Sequence, residues 1–576
     1  MEFDEALPLV GEFGRFQVLN YALLLLPAAH TAMFMMFVFA ARDLPYRCHV
    51  PECDDVPGAA GAVLDPPWLS WAVPPSTVPR PWPPPGGPAR APDTCLRYAA
   101  LPAPGTAAAP GTASTCWPEY FDTNRTERCD RWVFPEEDNT IVSEFQITCE
   151  ENRWKLTIVG SLNFLGELIG MPFGGVFSDR FGRRTLLLVA MPLSFAAGIS
   201  RSFVTSYDAF LALTFVDAFF AAGLYSAVFI LGVELVAGRQ RVIGSSLVAS
   251  FFSLGWAALG AVAWWQRDWR WLLRVAYVPA GLAVLLVWLL PESVRWLLSR
   301  GRTREAEAIL KRVAAVNGVS LSTPLELRST KVIPSAPAGP AGPAAGLRRL
   351  WDSPLLQVCR SSLLMRRLVL TAFIWIVTAF VYFGLALFSV ALAGDLYLNF
   401  ILAGLVEIPS YVVAWALSDR WGRRGCVSSS LGVTSGSLLA YLIIPDGLEP
   451  LRLALYLTAK LSITTTFTVL YVFTAELFPT SARHSMIGLC STVGRIGSVL
   501  APQLPLLEVF FWGMPLLVLA VTCFAAACVT LVLPETLNAA LPDTVSEAKA
   551  MGRPAVRPAP AAARTAPRAP QHQPLV

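Results

Sequence analysis

The sequence predicts an all-α membrane protein of twelve transmembrane helices in two six-helix pseudo-repeats, with a large extracellular loop between helices 1 and 2. Three observations carry that expectation. Of 576 residues, 54% are hydrophobic and 15% charged, where a soluble domain has about 25% charged. Apolar stretches of about 20 residues, enough to cross the hydrocarbon layer as a helix, recur along the chain. Short charged motifs also occur twice in the same order. A soluble chain of this length needs more polar surface to cover its cores, and lipid removes that need. The net charge of +4 is small and scattered, and gives no nucleic-acid footprint.

Spans are expected near 18–41, 154–177, 184–203, 207–233, 242–265, 271–290, 367–392, 396–417, 425–444, 451–474, 484–506 and 510–533. Pro172, Pro279 and Pro409 fall inside them and are tolerated in transmembrane helices. The first stretch is too long for a signal-peptide core and follows acidic residues (Glu2, Asp4, Glu5, Glu12), so it reads as a retained span.

Basic residues gather in Asp179–Arg184, Arg295–Arg367 and Asp419–Arg424, which makes that side cytoplasmic. The opposite loop, 42–152, holds six of the eleven cysteines: Cys48, Cys53, Cys95, Cys116, Cys129 and Cys149. An even number in one loop reads as disulfides in an oxidising compartment, their pairing open. Asn124-Arg125-Thr126 is a glycosylation sequon. Residues 57–113 are rich in Pro, Ala and Gly and cannot build much core. Trp68, Trp71 and Trp82 within them are either linker residues or contacts for a ligand, a partner or the bilayer surface.

The resulting division is a cytoplasmic N-terminus (1–17), a six-helix bundle (18–291) with its extracellular loop (42–152), and a cytoplasmic linker (292–366). A second bundle (367–533) and a disordered cytoplasmic tail (534–576) follow. Within the linker, 304–318 reads as an amphipathic helix at the inner membrane surface. The end of the tail, Leu575-Val576, is a candidate ligand for a peptide-binding scaffold domain. Both termini are expected in the cytoplasm and the chain at the plasma membrane, and the sequence is silent on oligomeric state.

SDRFGRR at 178–184 returns as SDRWGRR at 418–424, Asp179 to Asp419 being 240 residues. Glu234/Arg241 returns as Glu476/Arg483, shifted by 242, and Pro291-Glu292-Ser293 as Pro534-Glu535-Thr536, shifted by 243. Three recurrences in register indicate duplication. Same-side repeats imply an axis along the membrane normal, and a site near the midplane exposed alternately to each side. Asp179, Arg183, Asp419 and Arg423, with Glu234, Arg241, Glu476 and Arg483 as partners, are candidate gating residues; the competing reading anchors the arginines at phospholipid.

These residues resemble the major facilitator superfamily and, within it, the organic cation/organic anion transporter family (solute carrier family 22). The segments carrying the likeness are GEFGRFQ (11–17), the cysteine-bearing first loop, SDRFGRR, PESVRWLL (291–298), AELFPTSAR (475–483) and LPETLNAALPDT (533–544). The resemblance implies substrate contacts at Trp375, Tyr382, Phe383, Lys460, Phe467 and Tyr471. It also implies contacts at Arg495, a position that is Arg in anion-carrying members, and at Tyr411, where such members carry Lys. Independently, Arg495 lies mid-span, where an unpaired charge costs about 2.5–3.5 kcal/mol. It therefore faces either a substrate carboxylate, sulfate or phosphate, or a structural partner among Glu407, Glu167 and Asp217. Lys460 either contacts substrate or snorkels to the surface, and the seventh-span aromatics either bind or pack.

Departures from the family pattern are Thr214 for the fourth-span arginine, Ala237 for a proline, and Tyr411 itself. They leave the substrate open and point to a divergent, orphan-like member. Glu407, Asp217, Glu167 and His30 are candidate coupling residues. The leading expectation is a secondary carrier of small organic ions, anions first among them, by exchange or facilitated diffusion. The alternatives are a weakly transporting receptor that binds an extracellular ligand through its first loop, and a cation or zwitterion carrier. No nucleotide-binding loop appears. With four histidines and no metal-ligand spacing, neither an enzyme, nor a cofactor, nor a metal centre is expected.

Overall fold

The computed structural model describes residues 7, 10–11, 13–55, 63–76, 92–101, 116–236, 240–320, 358, 360–445, 447–480, 482–511, 513–539, 541–542 and 544–551. Trp82, Cys359, the linker 334–346 and Leu575-Val576 lie outside them.

Twelve helical rods follow one another in the expected order. They are α1 (Arg15–Ala40), α2 (Arg153–Phe181), α3 (Arg183–Arg201), α4 (Tyr207–Glu234), α5 (Gln240–Trp265) and α6 (Trp269–Leu289). The second half comprises α7 (Ser362–Phe388), α8 (Leu396–Trp421), α9 (Arg423–Ile443), α10 (Glu449–Leu477), α11 (Arg483–Leu500) and α12 (Met514–Val532). Ten of the rods, among the described residues, are long and apolar enough to cross a membrane by length and composition. The other two, α3 and α11, are 19 and 18 residues long. Arginines at the ends of α3, and Arg483 and Arg495 in α11, lower their hydropathy. Both pack against neighbouring rods, α3 on α4 and α6, and α11 on α7 and α2.

The loop after α1 folds on its cysteines. Strand β1 (Arg47–Cys48) will pair with a strand at the far end of the loop; β2 (Leu96–Ala100) pairs antiparallel with β3 (Phe121–Arg128), and β4 (Trp132–Val133) closes on β1. Disulfides join Cys48–Cys129, Cys53–Cys116 and Cys95–Cys149. Trp68 and Trp71 pack against this core, and the Arg47 guanidinium sits 4.9 Å from the Trp68 ring centroid. These two tryptophans are thus structural. Asn124 is exposed on β3.

At the other end, each half makes one tight turn, at Gly182 (φ 109°) and Gly422 (φ 79°), a backbone region that L side chains avoid. The following carboxylates fill the space beside them. Glu292 Oε1 accepts the backbone N–H groups of Arg183 (3.0 Å) and Arg184 (3.2 Å). Glu535 accepts those of Arg423 (2.8 Å) and Arg424 (3.1 Å). Each glutamate therefore sits on a helix N-terminus, where an anion is favoured. Burial pushes Glu535 up, but backbone donors from Leu537, Thr536, Arg423 and Gly425 outweigh it and hold the carboxyl below its usual range. Its contribution to stability is therefore complete at neutral pH and is lost as acid titrates it through that lowered value. A Cβ at Gly422 would lie 2.5 Å from the Glu535 carboxylate. Gly422→Ala, and Gly182→Ala against Glu292, are each expected to destabilise their half by roughly 1–3 kcal/mol. Thermal unfolding in detergent checks this, and an unchanged midpoint would remove the steric argument.

The helix Thr303–Asn317 buries Ala306, Leu310, Val313 and Ala314 against Leu7, Val10, Phe16 and the Trp296–Leu298 segment. Its apolar face, expected at the membrane surface, is covered by the protein's own chain. Asn317 fixes that cover, accepting the Phe16 N–H at 2.9 Å and donating to the Val10 carbonyl at 3.0 Å.

Candidate functional site

Helical spacing brings the candidate residues together. On α7, Trp375 and Tyr382 are two turns apart; on α10, Lys460, Phe467 and Tyr471 share one face; on α8, Glu407 and Tyr411 are one turn apart. Those faces meet α2, α4 and α5 between the two halves. Trp375 lies edge-on to Tyr471 (4.6 Å) and Phe467 (5.8 Å), and Phe467 lies 5.3 Å from Tyr382. Tyr382 meets Phe383 at 5.0 Å, and Phe383 crosses to Phe164 of α2 at 4.7 Å. The result is one continuous aromatic wall spanning both halves. The Trp375 indole N–H donates to Thr474 Oγ1 at 2.9 Å, satisfying its polar edge.

Two ion pairs stand in this wall. Arg495 Nη1 donates to Glu167 Oε2 at 2.8 Å, linking α11 to α2 across the interface. Lys460 Nζ lies 2.9 Å from Glu407 Oε1, both side chains fully buried. Lys460 also sits 3.6 Å from the Tyr382 ring centroid and 4.7 Å from that of Trp256. Glu407 accepts from Tyr382 Oη (2.7 Å) and from Ser253 Oγ of α5 (3.1 Å), and Ser253 reaches Tyr411 Oη at 3.3 Å. Lys460 is thus committed inside the bundle rather than reaching for the surface. Of the three acids weighed as partners for Arg495, Glu167 is the one it meets. Each base has its own acid, so the pocket carries two positive and two negative charges.

Asp217 belongs to a separate cluster within the first half. Arg201 Nη2 lies 3.0 Å from its Oδ2, Ser194 Oγ donates to its Oδ1 at 2.6 Å, and Tyr277 Oη donates to its Oδ2. Arg201 also donates to Thr214 Oγ1 at 3.3 Å. The arginine missing from the fourth span is therefore supplied from the end of α3, which sequence reasoning missed; the signal was a basic residue inside a span's last turn. His30 is buried with its ring 5.7 Å from that of Tyr277, and its Nδ1 has no hydrogen-bond partner among the described residues.

Among the gating candidates, Arg183 meets Asp179 (3.1 Å) and Glu234 (4.0 Å), while Arg423 meets Asp419 (3.4 Å) and Glu476 (3.3 Å). Thr536 Oγ1 donates to Glu476 Oε2 at 2.5 Å. Arg483 Nε donates to the Ala475 carbonyl at 2.6 Å rather than to a carboxylate, and the Arg241 side chain lies outside the described residues. These clusters close inside their own halves. Among the described residues, the polar contacts that cross between halves lie from the midplane to the disulfide-loop side. Besides Arg495–Glu167 they include Arg153–Glu508 (2.6 Å), and Gln503 Nε2 donating to Ser161 Oγ at 2.7 Å.

A family profile described as "Sugar (and other) transporter" matches residues 105–544. The chain is 30% identical over 556 residues to "Organic cation/carnitine transporter 2" of Homo sapiens, covering 95% of this chain and 94% of that one. It is 31% identical over 573 residues to "Solute carrier family 22 member 7" of Bos taurus, covering 96% and 97%. Among solved structures, the inward open conformation of the xylose transporter XylE from E. coli superposes with a TM-score of 0.53. That match, at 16% identity, covers 70% of this chain and 91% of the other and supports the fold alone.

Proposed function

The chain belongs to the organic cation/organic anion transporter family, solute carrier family 22, of the major facilitator superfamily, and from that premise we propose that it carries a small zwitterion by alternating access. That it is a multi-pass membrane transporter rather than an enzyme follows from the family. The observation that carries the substrate class is the Arg495–Glu167 bridge in the aromatic wall. A lone arginine there would favour an anion. An arginine already matched by a carboxylate favours a substrate that supplies both charges, because a single-charged one leaves a base or an acid stranded in a low-dielectric pocket.

On this reading the substrate carboxylate takes the Arg495 fork and the released Glu167 takes the substrate's cation. Tyr471 and Phe467 offer ring faces to a quaternary ammonium. Substrate then replaces a contact that holds the halves together, and so favours the opposite-facing state through its differential affinity. The name of the human relative, which includes carnitine, is consistent with such a substrate. The disulfide loop is read as extracellular, with Asn124 glycosylated, both termini cytoplasmic and the plasma membrane as location. Uptake of labelled carnitine, tetraethylammonium and an aromatic monocarboxylate into cells displaying the protein tests the reading. Carnitine is expected to accumulate ahead of both. Preferential accumulation of the monocarboxylate would instead support the anion reading of Arg495, and no uptake of any probe would favour a receptor role for the loop.

A further inference from the structure

A second chamber lies on the disulfide-loop side, away from the central pocket. Its volume is about 380 Å³, within the size range of small-molecule sites. The ends of α1, α2, α7, α9 and α12 and the segment Ala501–Val509 after α11 wall it, and Leu387, Phe388, Tyr441 and Leu519 make it largely apolar. Phe37, packed edge-on to Phe164 at 5.8 Å, helps to separate it from the aromatic pocket. Four charged side chains line it: Arg42, Asp43, Arg153 and Glu508. Three are already answered, since Arg42 pairs with Asp138 at 2.8 Å and Arg153 with Glu508 at 2.6 Å.

Asp43 has no ion pair among the described residues. It is open to the chamber, yet surrounding protein raises its carboxyl above the usual range, burial outweighing the Arg153 guanidinium. A chamber with one unmatched anion, apolar walls and ring faces at Phe388 and Tyr441 is chemically suited to a cation. An anion would have to displace Asp138 or Glu508 first.

We propose that this chamber is a docking site for a small organic monocation, its ammonium against Asp43 and its apolar body along Leu387, Phe388 and Leu519. The occupant sits beside the Arg153–Glu508 contact that joins the halves, and needs neither Arg495 nor Glu167. The test is equilibrium binding of N-methylquinolinium, a fluorescent organic monocation, to the full chain in lipid nanodiscs. Asp43→Asn removes the charge, and Ala391→Trp, from an exposed position on the lining, fills the space without touching it. Both are expected to weaken binding about tenfold or more with unchanged melting temperatures. Wild-type affinity in either variant overturns the proposal, as does failure of the wild type to bind the probe at millimolar concentration. A loss seen with Glu167→Gln while Asp43→Asn binds normally would overturn it as well, by moving the ammonium to the central pocket.

Discussion

Lys460→Ala is expected to lower the stability of the folded protein by about 3–5 kcal/mol, the range for breaking a buried ion pair from one side. Both Lys460 and Glu407 are fully buried at 2.9 Å, so the substitution leaves a carboxylate with Tyr382 and Ser253 as neutral donors. Removing both charges avoids that stranded acid. Lys460→Met with Glu407→Gln is accordingly expected to recover most of the loss, because no uncompensated charge stays buried and the Gln carbonyl still accepts from Tyr382 and Ser253. Thermal unfolding of the single and double variants in detergent measures the difference. If the double variant is as unstable as the single, the loss comes from packing of the lysine stem against Trp256 and Tyr382 and not from the charge.

Arg495→Ala is expected to reduce zwitterion uptake by about tenfold to a hundredfold, the range for losing charge-assisted hydrogen bonds to a carboxylate. Its partner is on the other half of the molecule, so the charge swap Arg495→Glu with Glu167→Arg separates structure from substrate recognition. The swapped pair rebuilds the bridge between α2 and α11, and surface expression is expected to return to wild-type levels. Transport is expected to stay low, because the guanidinium then projects from the wrong wall. Recovery of uptake in the swap would show that the bridge acts only as a structural contact. The proposed substrate role of Arg495 would then have to be given up.

How much of this was legible in the residues depends on how far apart the partners lie in sequence. The rods follow from apolar runs, and the shared faces of Lys460, Phe467 and Tyr471 follow from helical spacing. The six loop cysteines were countable, but their pairing into three disulfides depends on how β1 meets β4 and β2 meets β3. Which acid meets Arg495 was equally closed to reading, since Glu167 is 328 positions away and Glu407 and Asp217 fitted the same requirement. Arg201 stood out as a basic residue in a span's last turn, but its place beside Thr214 is a contact between neighbouring helices that local sequence does not specify. Glu292 and Glu535 were visible as a repeat, yet their work at the turns needed the close approach to Gly182 and Gly422. The amphipathic face of Thr303–Asn317 was correctly apolar, but amphipathicity does not say whether lipid or protein covers it.

The paired turn glutamates have a consequence for how such a chain is trapped experimentally. Each glutamate bonds a turn of its own half, so on the alternating-access proposal each half would move as a preassembled lever. The resting population of the two facings then rests on the seam: Arg153–Glu508, Gln503–Ser161, Arg495–Glu167 and Ser253–Glu407. Weakening the seam at Arg153–Glu508, three turns along α2 from Phe164, is expected to shift the ensemble without loosening either lever. Such a variant offers a route to capturing the opposite facing for imaging.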